Sequence, residues 1–411
     1  MSELHIALAV VGGLLLVLGM TAGLIDTVNF LSEPLICLLV GIGIGPAALN
    51  LLDLSSLGNQ EIILEQAALI TLGIALMGVA LRLPPAYSRS IWQPLTVLLA
   101  ILMPLMWIAS SLLVYLIVGL PFWVAALIGA ILTPTDPVVS STVVAEVVAE
   151  ENLPERLRHT ISAESGFNDG LAYPFVLLPI LLLAYPPGEA LSHWLISTIF
   201  WEVGAGIALG ALISYGAAKI LKWIENNKPI ATEHASFLTI SLALALTVVG
   251  VLELIGLNSV LAAFVAGVIF NSVASNDARE QQEHIQDAIT RFFDLPIFVL
   301  LGMVLPWQGW FELGWSGLLL AVAVLFLRRL PALLLLRPLL GEVGGRRDAL
   351  FLGWFGPIGA AALYYATFSV QKGVTEEVWI ISSLIICASV VVHGLTATPL
   401  TKLYGKYAGN E

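Results

Sequence analysis

The stretch ESGFNDG, residues 164–170, brings two carboxylates, a hydroxyl and an amide into an otherwise apolar part of the chain. Ser165 and Asp169 are four residues apart, so a helix would place them on one face. A hydroxyl and a carboxylate on one face are hard oxygen ligands of the kind that bind alkali or alkaline-earth cations. A carboxylate at the centre of a membrane helix costs about 3 kcal/mol, so Asp169 is a candidate functional residue.

A second polar stretch, TPTDPV at 133–138, places Pro134 and Pro137 on either side of Thr135 and Asp136. Two prolines three residues apart remove two backbone donors and clash with the preceding turn. The pattern predicts a helix that breaks here into two half-helices.

These two stretches together predict one ion site. Thr135 offers a hydroxyl and a backbone carbonyl, and Asp169 and Ser165 offer two further oxygen ligands. With water, this set suits a hard monovalent cation, and we expect Asp169 to be free, next to water and near the broken helix. No His or Cys is placed to bind a transition metal.

Glu164 needs a different partner. It is five positions from Asp169, about 140° round a helix, so the two carboxylates cannot share one small site. Arg328 and Arg329, in VLFLRRLPALLLL, are deep in another apolar run. We predict a structural ion pair between Glu164 and one of them, with Arg329 favoured. The other is expected to neutralise Asp136 or the C-terminal ends of half-helices.

The composition indicates what positions these residues. Of 411 residues, 58% are hydrophobic and 11% are charged, against about 25% charged in soluble domains. Repeated apolar runs of about 20 residues predict an all-α, multi-pass membrane protein. The net charge of −12 argues against a nucleic-acid partner. Two isolated cysteines predict neither disulfides nor a zinc site, and we expect no enzyme activity and no cofactor.

The apolar runs predict 13 spans with short loops between them. They cover residues 4–24, 33–51, 60–83, 90–119, 121–149, 158–186, 193–224, 235–255, 257–274, 285–306, 313–340, 348–370 and 378–401. With the N-terminus outside, 13 of the 17 Lys and Arg residues fall on the inner side and only Lys372 falls outside. This bias favours a cytoplasmic C-terminus in a cell membrane. The first span lacks a basic leader, so we expect no cleavable signal peptide.

The twelfth span has a second interruption, with Gly356, Pro357 and Gly359 at its middle. A single interruption is usually a simple kink, but two, one with an ionisable Asp136, favour a substrate site. Paired interruptions indicate a transporter with inverted repeats. The fifth and twelfth spans are seven apart, as expected for two six-span repeats joined by the seventh span.

These motifs resemble those of the monovalent cation:proton antiporters that carry an Asn-Asp pair, a family that includes the bacterial NhaP type, the animal exchangers and the fungal plasma-membrane exchangers. The matching stretches are SEPLICLLVGIGIGP, TPTDPV, ESGFNDG, FLRRLP and FGPIGAAAL. The last looks most like the fungal exchangers and their bacterial relatives. Ile358 stands where many members carry arginine, so a role for that arginine is in doubt here.

The resemblance implies an ion-carrying core in which the two broken helices cross, and a second half that forms a homodimer interface. It divides the chain into two interface segments (1–85 and 231–308), two core segments (86–190 and 309–411) and a linking helix (191–230). It also implies that Asp169 carries cation and proton in turn. Asn168 would bridge to the broken helices, and Thr135 and Ser165 would line the ion site.

The function that follows is exchange of Na⁺ or Li⁺ for H⁺ by alternating access, with the two ions competing for Asp169. Asn168 does not titrate, so a single carboxylate predicts electroneutral 1:1 exchange. Exchange of K⁺ for H⁺ and a Na⁺-coupled carrier of an organic solute are the alternatives. An intramembrane hydrolase that uses Asp136 and Asp169 lacks a recognisable motif, and an ion channel is disfavoured.

Other ionisable residues remain ambiguous. His159 and His393 are near span ends, where an interfacial position is favoured over a pH-sensing role. Asp294 and Arg291 are interpreted as an interfacial pair rather than as a site. The sequence assigns no role to Glu61, Glu65, Glu202 and Glu253.

Overall fold

The computed structural model describes residues 3–25, 32–83, 92–136, 139–140, 147–227, 237–273 and 283–408. All regular secondary structure in these ranges is helical, and no strand occurs in them. Pro137 lies outside the described residues.

The helices are numbered here in chain order. They are α1 (Glu3–Ile25), α2 (Glu33–Ile44), α3 (Gln60–Arg82), α4 (Trp92–Val118), α5 (Phe122–Ile131), α6 (Val147–Asn152), α7 (Glu155–Ala184), α8 (Pro187–Ile224), α9 (Phe237–Leu254), α10 (Ser259–Val273), α11 (Glu283–Met303), α12 (Trp307–Leu327), α13 (Leu330–Leu336), α14 (Arg346–Trp354), α15 (Ala360–Gln371) and α16 (Glu377–Ala408). Wider π turns occur within α4 at Leu98–Leu102 and within α8 at Trp194–Ala205.

The helices account for the apolar runs of the sequence. Within the described ranges, seven helices are long and apolar enough to cross a membrane, and shorter apolar helices accompany them. Each predicted span contains at least one helix, and the chain is an all-helical, multi-pass membrane protein. The second span is shorter than predicted: α2 ends at Ile44, because Gly45 adopts an extended conformation and Pro46 follows.

The outer surface of the molecule is apolar. Phe311 and Trp315 of α12 are 79% and 84% exposed, and Phe200 and Trp201 of α8 are also exposed. Large aromatic side chains on the outside of a helical protein indicate contact with lipid.

Helix α3 is at the centre of the packing. It contacts α10, α11 and α15, and its C-terminal half from Thr71 to Leu81 is buried without interruption. Helix α7 contacts α5, α10 and α15. The polar stretch 164–170 on α7 therefore lies inside the protein, against helices of both halves of the chain.

Three of the predicted spans are broken. Helix α5 ends at Ile131 and the chain is non-helical through 133–136, and α14 ends at Trp354 with a non-helical segment before α15. The third break, between α12 and α13, was not predicted. It occurs at Arg328 and Arg329, immediately before Pro331 near the start of α13, because proline cannot donate the backbone hydrogen bond of a continuing helix.

Candidate functional site

The two broken spans meet at Asp136. Its backbone N–H donates to the carbonyl oxygen of Pro357 at 2.8 Å. Its carboxylate accepts hydrogen bonds from the backbone N–H of Val139, at 2.8 Å, and from that of Ala360. Ala360 is the first residue of α15, so Asp136 places a negative charge at the positive end of that helix.

Arg328 supplies the opposite charge. Its guanidinium donates to the carbonyl oxygens of Leu132, at the end of α5, and Gly356, just beyond α14. These are the negative ends of two half-helices, whose last carbonyls have no partner within their own helix. Arg328 therefore lies at the half-helix ends, one of the two positions that the sequence allowed.

Two glycines permit this close approach. A side chain at Gly359 would collide with the Asp136 carboxylate, and one at Gly356 would come within 2.5 Å of the Arg329 Cδ atom. Gly356 and Gly359 are thus required for space between the broken segments. Pro134 and Pro357 lie in the two non-helical segments.

Glu164 lies against Arg329. Two parallel hydrogen bonds join the guanidinium to the carboxylate, at 2.5 and 2.7 Å, and the two side chains are only 3% and 2% exposed. Arg329 also donates from Nε to the carbonyl oxygen of Leu352 at 2.7 Å. The pair therefore links α7 to the start of α13 and to α14.

Thr135, Asn168 and Ser165 form a buried network. The Thr135 backbone N–H donates to the Asn168 amide oxygen at 3.1 Å, and the Asn168 amide nitrogen donates to the Thr135 hydroxyl at 2.8 Å. The Thr135 and Ser165 hydroxyls are 3.1 Å apart. This network ties the broken segment after α5 to the middle of α7.

Asp169 is one turn along α7 from Ser165, on the same face. Its side chain is 0% exposed, and neither carboxylate oxygen has a hydrogen-bond partner within the described ranges. In this conformation the side chain is shut off from bulk solvent, and its expected contact with water stays a prediction. The backbone carbonyl of Asp169 accepts a hydrogen bond from the Tyr365 hydroxyl at 2.6 Å.

Sequence reasoning missed two polar residues around these breaks, Tyr365 and Ser389, and gave no partner for a third, His393. Besides Tyr365, Ser389 accepts a hydrogen bond from the backbone N–H of Ile358 at 2.7 Å, and His393 Nε2 lies 3.0 Å from the carbonyl oxygen of Trp354. His393 is buried within the protein, and its interfacial position stays a prediction. The tyrosine pair within a run of alanines was the only sequence signal for Tyr365.

The structure also shows the positions of other ionisable residues that the sequence left ambiguous. Asp294 is 0% exposed, and the side chain of Arg291 lies outside the described part of the structure, so their interpretation as an interfacial pair stays a prediction. Glu202 accepts a hydrogen bond from the Tyr173 hydroxyl at 2.9 Å, and Glu253 accepts one from Ser259 at 2.6 Å. No group of three or more His, Cys, Asp or Glu side chains that could hold a metal ion occurs among the residues searched, which are the described ones.

Half-helices that meet beside a buried carboxylate, in a protein made of membrane helices, are a feature of secondary transporter folds. The family model for the transmembrane part of the sodium/hydrogen exchangers matches residues 10–403. The chain therefore belongs to the sodium/hydrogen exchanger family.

Relatives agree with this assignment. The chain is 32% identical to Na(+)/H(+) antiporter 2 of Zygosaccharomyces rouxii, over 99% of this chain and 54% of that protein. It is 31% identical to the probable Na(+)/H(+) antiporter C3A11.09 of Schizosaccharomyces pombe, over 96% of this chain and 55% of that protein. The chain thus spans about half the length of these two relatives.

A solved structure has the same fold. The sodium proton antiporter MjNhaP1 from Methanocaldococcus jannaschii matches with a TM-score of 0.73 and 21% identity, over 98% of this chain and all of that one. At this identity the likeness concerns the fold alone.

Proposed function

We propose that this protein exchanges Na⁺ or Li⁺ for H⁺ across a cell membrane by alternating access. The observation that carries the proposal is Asp169, a carboxyl that is fully buried, lacks a hydrogen-bond partner within the described ranges and lies one turn from Ser165 beside a broken helix. An ionised carboxylate in such a place is costly unless a proton or a cation neutralises it. The names of the fungal relatives support Na⁺ as the cation.

Competition between the two ions for Asp169 couples their movements. Asp169 holds a proton or a cation, and either one makes the site neutral enough to change sides. An empty, charged Asp169 resists this movement, because it would lose its hydration without gaining a partner. Ser165 and Thr135 supply further oxygen ligands for the cation, while Asn168 holds the broken segment against α7 through its two bonds to Thr135.

The expected stoichiometry is 1:1. The neighbour of Asp169 is Asn168, which does not titrate, so one carboxylate exchanges one cation for one proton. No net charge moves, and the membrane potential, worth about 2.3 kcal/mol per charge per 100 mV, does not drive the exchange.

The architecture that goes with this function has 13 spans, with the N-terminus outside and the C-terminus in the cytoplasm. Two six-span inverted repeats supply a core, at 86–190 and 309–411, and a homodimer interface, at 1–85 and 231–308, with 191–230 as the linking helix. The two breaks that meet at Asp136, one in each half of the chain, support this division.

The experiment is a pH-gradient assay in vesicles that contain the purified protein, with Na⁺, Li⁺ and K⁺ offered separately. We expect Na⁺ and Li⁺ to dissipate the gradient at rates that an imposed potential does not change. Asp169→Asn should abolish exchange without loss of folding, because an amide neither titrates nor carries the negative charge that balances a bound cation. Glu312→Gln, at an exposed residue near the start of α12, is the matched control and should behave as wild type.

Three results would contradict these statements. Exchange by Asp169→Asn at near the wild-type rate would refute the site. A clear response to potential would refute the 1:1 stoichiometry. If K⁺ dissipated the pH gradient and neither Na⁺ nor Li⁺ did, the protein would be a K⁺/H⁺ antiporter.

A further inference from the structure

Helix α11 carries another buried carboxyl, Asp294, which is not among the residues of the ion site described above. Its side chain is 0% exposed, and neither oxygen has a hydrogen-bond partner within the described ranges. The residue before it, Phe293, accepts a hydrogen bond from the Thr71 hydroxyl at 3.1 Å, which ties α11 to α3 at this level. Helix α3 in turn packs against α15, whose Tyr365 bonds to Asp169.

Asp294 and Asp136 are held differently by their surroundings. An ionised Asp294 in this position would be costly unless a proton or a cation neutralised it. Asp136 differs, because its carboxylate accepts hydrogen bonds from two backbone N–H groups, which stabilise a negative charge. One of these donors is Ala360 at the start of α15, the helix whose Tyr365 bonds to Asp169.

Neighbouring helices also carry ionisable side chains. Arg82, at the end of α3, is a cation on one of them. Helix α11 packs against α1, α2 and α3. The other ionisable side chains on these three helices are Glu3, His5, Glu33, Cys37, Glu61 and Glu65.

Helix α11 is locally weakened beside Asp294. Pro296 lies inside the helix and has no N–H to donate to the carbonyl of Phe292, four residues earlier. A proline within a helix is a common place for a bend. Asp294 therefore lies two residues from a point where α11 can bend.

We propose that Asp294 is a second proton-binding site on the transport route, which passes its proton to Asp169 when the cation leaves. The proposal rests on the function proposed above. The proton moves from the Asp294 carboxyl through water to the Asp169 carboxylate, and the Asp294 carboxylate then takes a proton from water. One proton is still exchanged per cation, so the 1:1 stoichiometry is unchanged.

The test compares Asp294→Asn, Asp294→Glu and Asp294→Leu with Glu312→Gln in the vesicle assay over a range of pH. The amide should lower the maximal exchange rate about tenfold or more, as for loss of a proton-transfer group. The Na⁺ concentration for half-maximal rate should not change, because Asp169 still binds the cation. Glutamate should restore most of the rate, leucine should be as slow as the amide, and Glu312→Gln should be as fast as wild type.

Two further measurements separate a proton role from a structural one. Thermal unfolding in detergent should be no lower for Asp294→Asn or Asp294→Leu, because each removes an acid without a partner. Addition of Na⁺ to the purified protein should release as many protons from Asp294→Asn as from wild type, and none from Asp169→Asn.

Each other outcome overturns the proposal. A wild-type rate for Asp294→Asn at every pH would show that its proton is not used. A slow Asp294→Glu variant with normal stability would show that the shape of the side chain matters rather than its proton. Failure of both the amide and the leucine variant to fold would assign Asp294 a structural role. By contrast, lack of exchange by the wild-type protein would refute the proposed function itself.

Discussion

Removal of one partner of the Glu164–Arg329 pair should destabilise the protein strongly. Glu164→Gln keeps the size of the side chain but removes its charge. The Arg329 guanidinium, 2% exposed, would then be a buried cation without its counter-ion. Breaking such a pair costs about 3–5 kcal/mol, which is a large fraction of the stability of a typical protein.

The double variant Glu164→Met with Arg329→Met gives the matched comparison. It leaves no unpaired charge, and replacement of a buried pair by apolar residues of similar volume is often close to neutral. Arg329 also bonds to the Leu352 carbonyl, which would lose its donor at a cost of about 1–3 kcal/mol. We therefore expect the double variant to be more stable than Glu164→Gln but less stable than wild type.

The assay is unfolding of the detergent-purified protein by heat, with ligand-free wild type and Glu312→Gln measured alongside. Glu312→Gln alters an exposed residue and should change stability by less than about 0.5 kcal/mol. If Glu164→Gln unfolded together with this control, the pair would not stabilise the fold and the reasoning would fail. It would fail equally if the double variant were less stable than Glu164→Gln.

Two further perturbations test the contacts between the broken spans. Gly359→Ala should slow exchange sharply and lower the unfolding temperature, because the new methyl group collides with the Asp136 carboxylate. The control is Gly12→Ala, since Gly12 has open space around it. Equal behaviour of the two variants would contradict the account. Arg328→Met should lower the free energy of unfolding by about 2–5 kcal/mol, because the Leu132 and Gly356 carbonyls lose their charged donor. Arg328→Lys keeps the charge and should recover part of that loss. An Arg328→Met variant as stable as wild type would argue against a role of Arg328 at the half-helix ends.

Much of the fold could be predicted because a membrane imposes simple rules on a sequence. Apolar runs of spanning length must become helices, since lipid offers no hydrogen-bond partners to the backbone. The breaks at Pro134 and Pro357 could be predicted for a similar reason, because proline and glycine interrupt a helix locally. The break between Arg328 and Arg329 was missed, although Pro331 follows it, because the run looked apolar and continuous on both sides.

The ion site was predictable only in part. The types and spacing of Ser165, Asn168 and Asp169 determined by themselves which side chains α7 would carry into the membrane, because helical periodicity fixes which residues share a face. The tertiary structure decided that Thr135 bonds to both Asn168 and Ser165, and that Arg329 rather than Arg328 meets Glu164. Those choices depend on how distant helices pack.

The same distinction explains Asp294 and His393. Each lies near the end of an apolar run, where the sequence favours an interfacial position, and the fold buries both side chains. The sequence by itself determined the helices, the two proline breaks and the acid at position 169, since these follow from local chemistry. Only the tertiary structure decided which polar groups are enclosed and which find partners, because burial is set by contacts between segments far apart in the chain.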